Sequence, residues 1–334
     1  MPETSDAPGD AIPGGIGLRH GDGVALALGV VAAFAVLVTL GSEAWQQLPA
    51  WVLAGVALLY LLSHALRAIR LTLLATPGLG ISARSAALLH LATAPAGLLL
   101  PFKLGELVRL HELRALSGNG WLLAAMILLI DRMMDAVLLV VLFVVAATIA
   151  PTAVTPVFYL SVAFLVIAVV TFTVVPRALT QLQRYTIVFH NGDRAPRWLA
   201  SVDKMRQLCV IGARRLVHQG GMLLLITLII WSIELLAMAI LLIGLPNAGE
   251  GTDPPRPIGH GALTLLLSRT ASEWQAIIGL HDAPLQRLAA VISLAALMLV
   301  FPISLRLYLR ERRLEPTRRS RSVRWTQRDN IRGS

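Results

Sequence analysis

The chain has 334 residues, of which 56% are apolar and 14% charged. Soluble domains carry about 25% charged residues, so this composition excludes an ordinary soluble domain and points to a bilayer. The net charge of +10 at pH 7 reads as loops facing anionic lipid rather than as a nucleic-acid surface, and the single cysteine excludes an intrachain disulfide or a multi-cysteine metal site.

Residues 1–22 are polar and rich in Gly and Pro, without the regions of a cleaved signal peptide, and read as a disordered cytoplasmic tail. Six stretches then approach the roughly 20 apolar residues that a spanning helix needs: 23–40, 51–68, 122–150, 157–175, 221–245 and 288–307. Two further apolar stretches are interrupted. Pro95, Gly97 and Pro101 break 86–100, and Arg269 and Glu273 break 261–280.

Basic residues orient the spans, because cytoplasmic loops carry the excess of Lys and Arg. Residues 42–50 and 151–156 contain neither and read as outside. Arg67, Arg70 and Arg84, then Lys103, Arg109 and Arg114, then eight bases in 176–220, read as inside. The tail from Arg306 holds ten arginines against three acids and is inside too. The expectation is an all-α polytopic protein of the bacterial cytoplasmic membrane, with both termini in the cytoplasm. Its membrane domain covers 23–309, followed by an Arg-rich tail over 310–334.

Positive charge flanks 86–100 on both sides, so that stretch should enter and leave by one face as a re-entrant hairpin. Non-helical backbone at membrane depth is tolerated only inside protein or beside a wet cavity, which predicts a cavity near residues 95–105. The stretch 261–280 would be its partner from the opposite face, in a weak inverted repeat. In the link 176–220, Leu199, Val202, Met205, Leu208, Cys209 and Leu216 recur near helical spacing between arginines. This reads either as an amphipathic helix on the inner leaflet or as a helix packed on the bundle.

Charges at membrane depth are the candidate site. Lys103, Glu106 and Arg109 share one face of a helix expected over 104–116, with a net positive charge suited to phosphate. An interfacial salt-bridge cluster is the plain alternative. Asp131, Arg132 and Asp135 lie inside an apolar block and need basic partners, with Lys103, Arg109, Arg67 and Arg70 as candidates. They form either part of the site or a structural ion-pair network. Arg67 and Arg70 also suit snorkelling to headgroups, at least one of them in preference. Glu234 sits mid-span and is expected to line the cavity, and Arg269 with Glu273 would pair on the outer side. His64 and His90 read as core histidines.

No H-E-x-x-H, Gly-rich phosphate loop or G-x-S-x-G elbow is present, and no cofactor, metal site or enzymatic activity is expected. Asp131-x-x-x-Asp135 keeps open a membrane-embedded glycosyl or phosphoryl transferase using Mg²⁺.

Arg67-x-x-Arg70, Pro101-x-Lys103-x-Gly105-Glu106-x-x-Arg109 and Asp131-Arg132-x-x-Asp135 together resemble the flippase-like, or lysylphosphatidylglycerol synthase transmembrane-region, family. That resemblance implies a functional core of Lys103, Glu106, Arg109, Asp131, Arg132 and Asp135. Members often carry a P-G-G-x-G-x-x-E-like stretch before the last spans. The corresponding region here offers only an acid, Glu273. The resemblance further implies a lipid translocator for an anionic phospholipid or a polyprenyl-phosphate-linked sugar. The ligand-binding set is then Arg67, Arg70, Lys103, Glu106, Arg109, Asp131, Arg132, Asp135, Glu234 and Glu273. Expected partners are that lipid, anionic inner-leaflet lipids and a lipid-modifying synthase or glycosyltransferase, but no nucleic acid. A non-catalytic protein presenting lipid to a separate synthase is the third reading.

Overall fold

The computed structural model describes residues 20–40, 43–100, 104–117, 120–149, 156–189, 195–244 and 284–332. Pro101, Phe102, Lys103, Arg269 and Glu273, the stretch 261–280 and nearly all of the N-terminal tail lie outside them. Among the described residues the regular structure is helical: α1 (His20–Leu40), a 3-10 turn (Glu43–Gln47), α2 (Ala50–Leu79), α3 (Ala83–Leu99), α4 (Gly105–Ser117), α5 (Trp121–Ile149), α6 (Pro156–Thr173), α7 (Val175–Phe189), α8 (Ala195–Gly244) and α9 (Pro284–Arg332). The all-α polytopic expectation holds. Against the six spans expected, four of the described helices are long and apolar enough to cross a bilayer, or five if the bent pair α6–α7 is one span. Helix α5, 29 residues long, is set apart by the three charges near its centre.

Helix α2 is the hub, packed against α3, α5, α8 and α9. A tight turn sends the chain back from α2 into α3. Gly80 adopts the left-handed conformation (φ 65°) and its N–H bonds the Thr76 carbonyl, while the Ser82 hydroxyl caps α3 by accepting from the Ser85 N–H. Glycine has no Cβ to oppose a positive φ, and a serine oxygen replaces the carbonyl that a first-turn N–H lacks.

Helix α4 then runs antiparallel to α3. Gly105 lies on the backbone of Ala96 and Gly97, and Arg109 bonds Thr93 one turn further along. The α3–α4 pair therefore returns to the end at which it began, the hairpin geometry expected for a re-entrant element. Pro95 and Gly97 do not break α3, which stays helical to Leu99. Gly105 instead lets the two backbones touch, as small residues do between membrane helices, whereas a side chain at Gly97 would meet nothing within 4 Å.

Helix α1 packs mainly on α9, also antiparallel: Asp22 pairs with Arg306 at 3.1 Å, Gly29 faces the Leu299 carbonyl, and Arg287 donates to the Leu40 carbonyl at 3.2 Å. The last contact satisfies a carbonyl that the end of a helix leaves without an intrahelical partner. The apolar half of α9 is sheathed by α1, α2 and α3, with Ala290, Leu294 and Leu297 buried against Ala94 and Leu98.

Among the described residues the 176–220 link is helical, and its first half is α7, a separate helix with Leu182, Tyr185, Ile187 and Val188 exposed. Its second half is the start of the 50-residue α8, which continues straight into the span, while α7 packs alongside. The apolar stripe found in the sequence is real, with Val202 and Cys209 buried, but it faces protein. The basic tail likewise continues α9 as a helix to Arg332.

Overpacking a tight backbone contact costs about 1–3 kcal/mol. Gly105→Val should lower the detergent melting temperature by several degrees, whereas Gly55→Ala, with nothing within 4 Å of the added carbon, should leave it unchanged.

Candidate functional site

The centre of the bundle holds an arginine away from both solvent and lipid. Arg70 is 1% exposed. Its Nε donates to Asp131 Oδ1 at 2.7 Å, Nη1 to Asp135 Oδ1 at 2.7 Å and to the Thr227 hydroxyl at 2.9 Å, and Nη2 to Asp135 Oδ2 at 3.0 Å. The Thr227 hydroxyl passes its own proton to the Leu223 carbonyl at 2.7 Å. Helices α2, α5 and α8 are thus tied by one guanidinium. Snorkelling is excluded for Arg70: two carboxylates four residues apart on α5 present a fork that a planar guanidinium fills, and a buried charge persists only when so paired.

Arg132 continues the network on the other side of the same aspartates, bonding Asp131 Oδ2 and Asp135 Oδ2, each at 3.1 Å, and Glu106 at 3.0 Å. Glu106 is shared, because Arg109 donates to it at 3.2 Å and to the Thr93 hydroxyl at 3.3 Å. A separate pair lies nearby. Arg67 Nη2 and the Ser63 hydroxyl both donate to Glu234 Oε1 at 2.6 Å, so this mid-span carboxylate is paired and Arg67 does not snorkel either. Four arginines thus face four carboxylates, and among the described residues the cluster is neutral. The net positive face expected from Lys103, Glu106 and Arg109 rests on Lys103, outside the described residues.

These side chains surround a cavity of about 670 Å³, near the expected position. Arg67, Glu106, Arg109, Arg132, Asp135 and Glu234 form its polar part, with His64 and His90 beside them. Arg70 and Asp131 stand behind this wall and hold it. The rest of the lining is mostly apolar, with Leu139 from α5 and Leu160, Ala163, Phe164 and Ile167 from α6, where Ser161 is the polar exception. Leu160 and Ile167 are 69% and 61% exposed.

Ser63, Thr93, Thr227 and Trp231 were not singled out by the sequence reading. A signal existed: Ser63, Arg67 and Arg70 share one helical face, as do Thr227, Trp231 and Glu234. Buried acceptors and donors for an arginine belong on such a stripe.

Removing one partner of a buried ion pair costs about 3–5 kcal/mol, because the other charge is left uncompensated. Arg70→Leu should therefore destabilise the protein by about that amount in thermal unfolding. The double variant Arg70→Leu with Asp131→Leu, which removes one charge of each sign, should be less destabilised than the single one.

A family model described as lysylphosphatidylglycerol synthase TM region matches residues 22–251, more than half of the chain. Comparison with curated proteins and with solved structures gives no match.

Proposed function

The chain belongs to the lysylphosphatidylglycerol synthase TM region family, a membrane protein of lipid metabolism or transport, and on that footing we propose that it translocates an anionic lipid. The lipid is a phospholipid or a polyprenyl-phosphate-linked sugar, and the site is the cavity between α2, α3, α5, α6 and α8. The observation that carries this reading is that one cavity joins three arginines to a largely apolar α6 side, on which Leu160 and Ile167 are exposed. A lipid has the same two parts. Its phosphate would cost at least several kcal/mol if carried bare through hydrocarbon, so a charged path is required.

The network supports exchange of partners. Arg109 and Arg132 share the single carboxylate of Glu106, and a phosphate can take over either guanidinium while Glu106 keeps the other. Two donors are also in place before any exchange: Arg67 Nε and Arg132 Nε are buried without a hydrogen-bond partner among the described residues. Arginine matches phosphate geometry in its plane. Arg70, Asp131 and Asp135 keep the wall in register while the cavity-facing pairs rearrange. The basic loops and tail support the cytoplasmic membrane with both termini inside.

A transferase would need Asp131 and Asp135 for Mg²⁺. Their oxygens are engaged by Arg70 and Arg132, which favours translocation. In vesicles containing the purified protein, Arg109→Ala and Arg132→Ala should insert normally yet move a labelled anionic phospholipid about ten- to a hundredfold more slowly, the effect of losing a charged hydrogen bond. Transport at the unaltered rate would refute the proposal. Chelator-sensitive turnover of a polyprenyl phosphate would favour the transferase.

A further inference from the structure

Two polar groups of the cavity are unused by the ion-pair network. His90 Nε2 on α3 and Trp231 Nε1 on α8 are buried atoms with no hydrogen-bond partner among the described residues. Both residues line the cavity, and they are only 3% and 5% exposed. Native proteins pair nearly all such atoms, and an indole N–H or imidazole nitrogen left unpaired in an apolar setting is costly. Two of them in the wall of one cavity mark a surface built to be completed by what enters it.

Their chemistry differs from that of the arginine wall. The indole N–H is a neutral donor, and an imidazole nitrogen donates or accepts. Neither supplies the fixed charge that phosphate calls for. Among the uncharged parts of lipid headgroups, hydroxyls both donate and accept. The surroundings agree. Trp231 is one turn from Glu234 on α8, His90 packs its ring 5.8 Å from that of His64, and His64 is one turn from Arg67 on α2. One end of the cavity therefore joins an aromatic donor, an imidazole and the Arg67–Glu234 pair, a set that hydrogen-bonds polyols.

We propose that His90 and Trp231 form a hydroxyl-reading subsite, selecting a lipid whose phosphate bears a polyol or saccharide. This rests on the anionic-lipid reading and narrows it. The phosphate engages Arg109 and Arg132, while the uncharged part of the headgroup reaches across to α3 and α8. His90 and Trp231 are specificity-determining residues and take no part in the charge exchange.

The test compares lipids of equal charge. Full-length protein in nanodiscs of a zwitterionic phospholipid is titrated with phosphatidylglycerol, phosphatidylinositol or phosphatidylmethanol, the last lacking any hydroxyl. Binding is read by native mass spectrometry. The protein should prefer at least one polyol lipid over phosphatidylmethanol by about tenfold, the worth of one or two neutral hydrogen bonds. His90→Phe and Trp231→Phe should each reduce that preference severalfold, weakening polyol-lipid binding more than phosphatidylmethanol binding.

Equal binding of all three lipids, or a preference that survives both substitutions, overturns the subsite and leaves the anionic-lipid reading standing. Absence of binding by all three, or binding indifferent to Arg109→Ala, overturns the anionic-lipid reading itself. His90→Gln keeps a hydrogen-bonding side chain. It should retain part of the preference, which a purely structural role for the ring would not do.

Discussion

Arg70 is buried where a full charge has neither water nor lipid headgroup to turn to. It is held by Asp131 and Asp135 from α5 and by Thr227 from α8. The arrangement follows from electrostatics in a medium of low polarisability. An isolated ion there is prohibitively expensive, so charge enters only with matched partners and saturated hydrogen bonds. Once Asp131 and Asp135 are committed to Arg70, their second oxygens have defined directions, and Arg132 binds to those oxygens. Arg132 orients Glu106, and Glu106 meets Arg109. Arg70 with its two aspartates thus sets the positions of Arg132, Glu106 and Arg109. The same contacts tie α2, α5 and α8 together.

The second constraint is the closeness of α3 and α4. Gly105 lets the α4 backbone rest on that of Ala96 and Gly97, which places Arg109 beside Thr93 and puts the hairpin against α5. The base of the hairpin is tied to the far end of the chain. Tyr308 donates to Glu112 at 2.6 Å, Arg312 pairs with the same carboxylate at 3.3 Å, and Arg84 pairs with Glu311 at 3.3 Å. The basic helix that leaves the bundle is therefore continuous, through α9, with the element that carries Glu106 and Arg109. A rigid scaffold behind the cavity and a separate hairpin in front of it suit a site whose ion pairs exchange partners.

The proposed translocation depends on a difference between the polar and the apolar lining of the cavity. Polar side chains come from α2, α3, α4, α5 and α8, each braced by a neighbour. The apolar wall comes largely from α6, a helix whose outward residues are exposed and whose partners are few. In the proposed translocation, the α6 side is where the acyl chains of a lipid would lie.

Much of this was legible in the residues themselves. Hydropathy blocks marked the spans because bilayer thickness demands about 20 apolar residues of any helix. The family resemblance placed weight on Glu106, Arg109, Asp131, Arg132 and Asp135, and the cost of charge in hydrocarbon independently made them candidates. Flanking charges on both sides of 86–100 foretold a chain that turns back. The pairing was not legible. Nothing local tells Arg70, which could have reached headgroups, that two aspartates some sixty positions away will enclose it, nor that Glu234 will meet Arg67. Such choices depend on which helix faces which and at what height, and that is decided by small residues, tight turns and the packing of α2 at the centre. The sequence by itself determined that charge must be buried and compensated here. Only the tertiary structure decided which partners compensate it and which side chains are left to face the cavity, because pairing energy depends on separations of a few ångströms between residues distant in the chain.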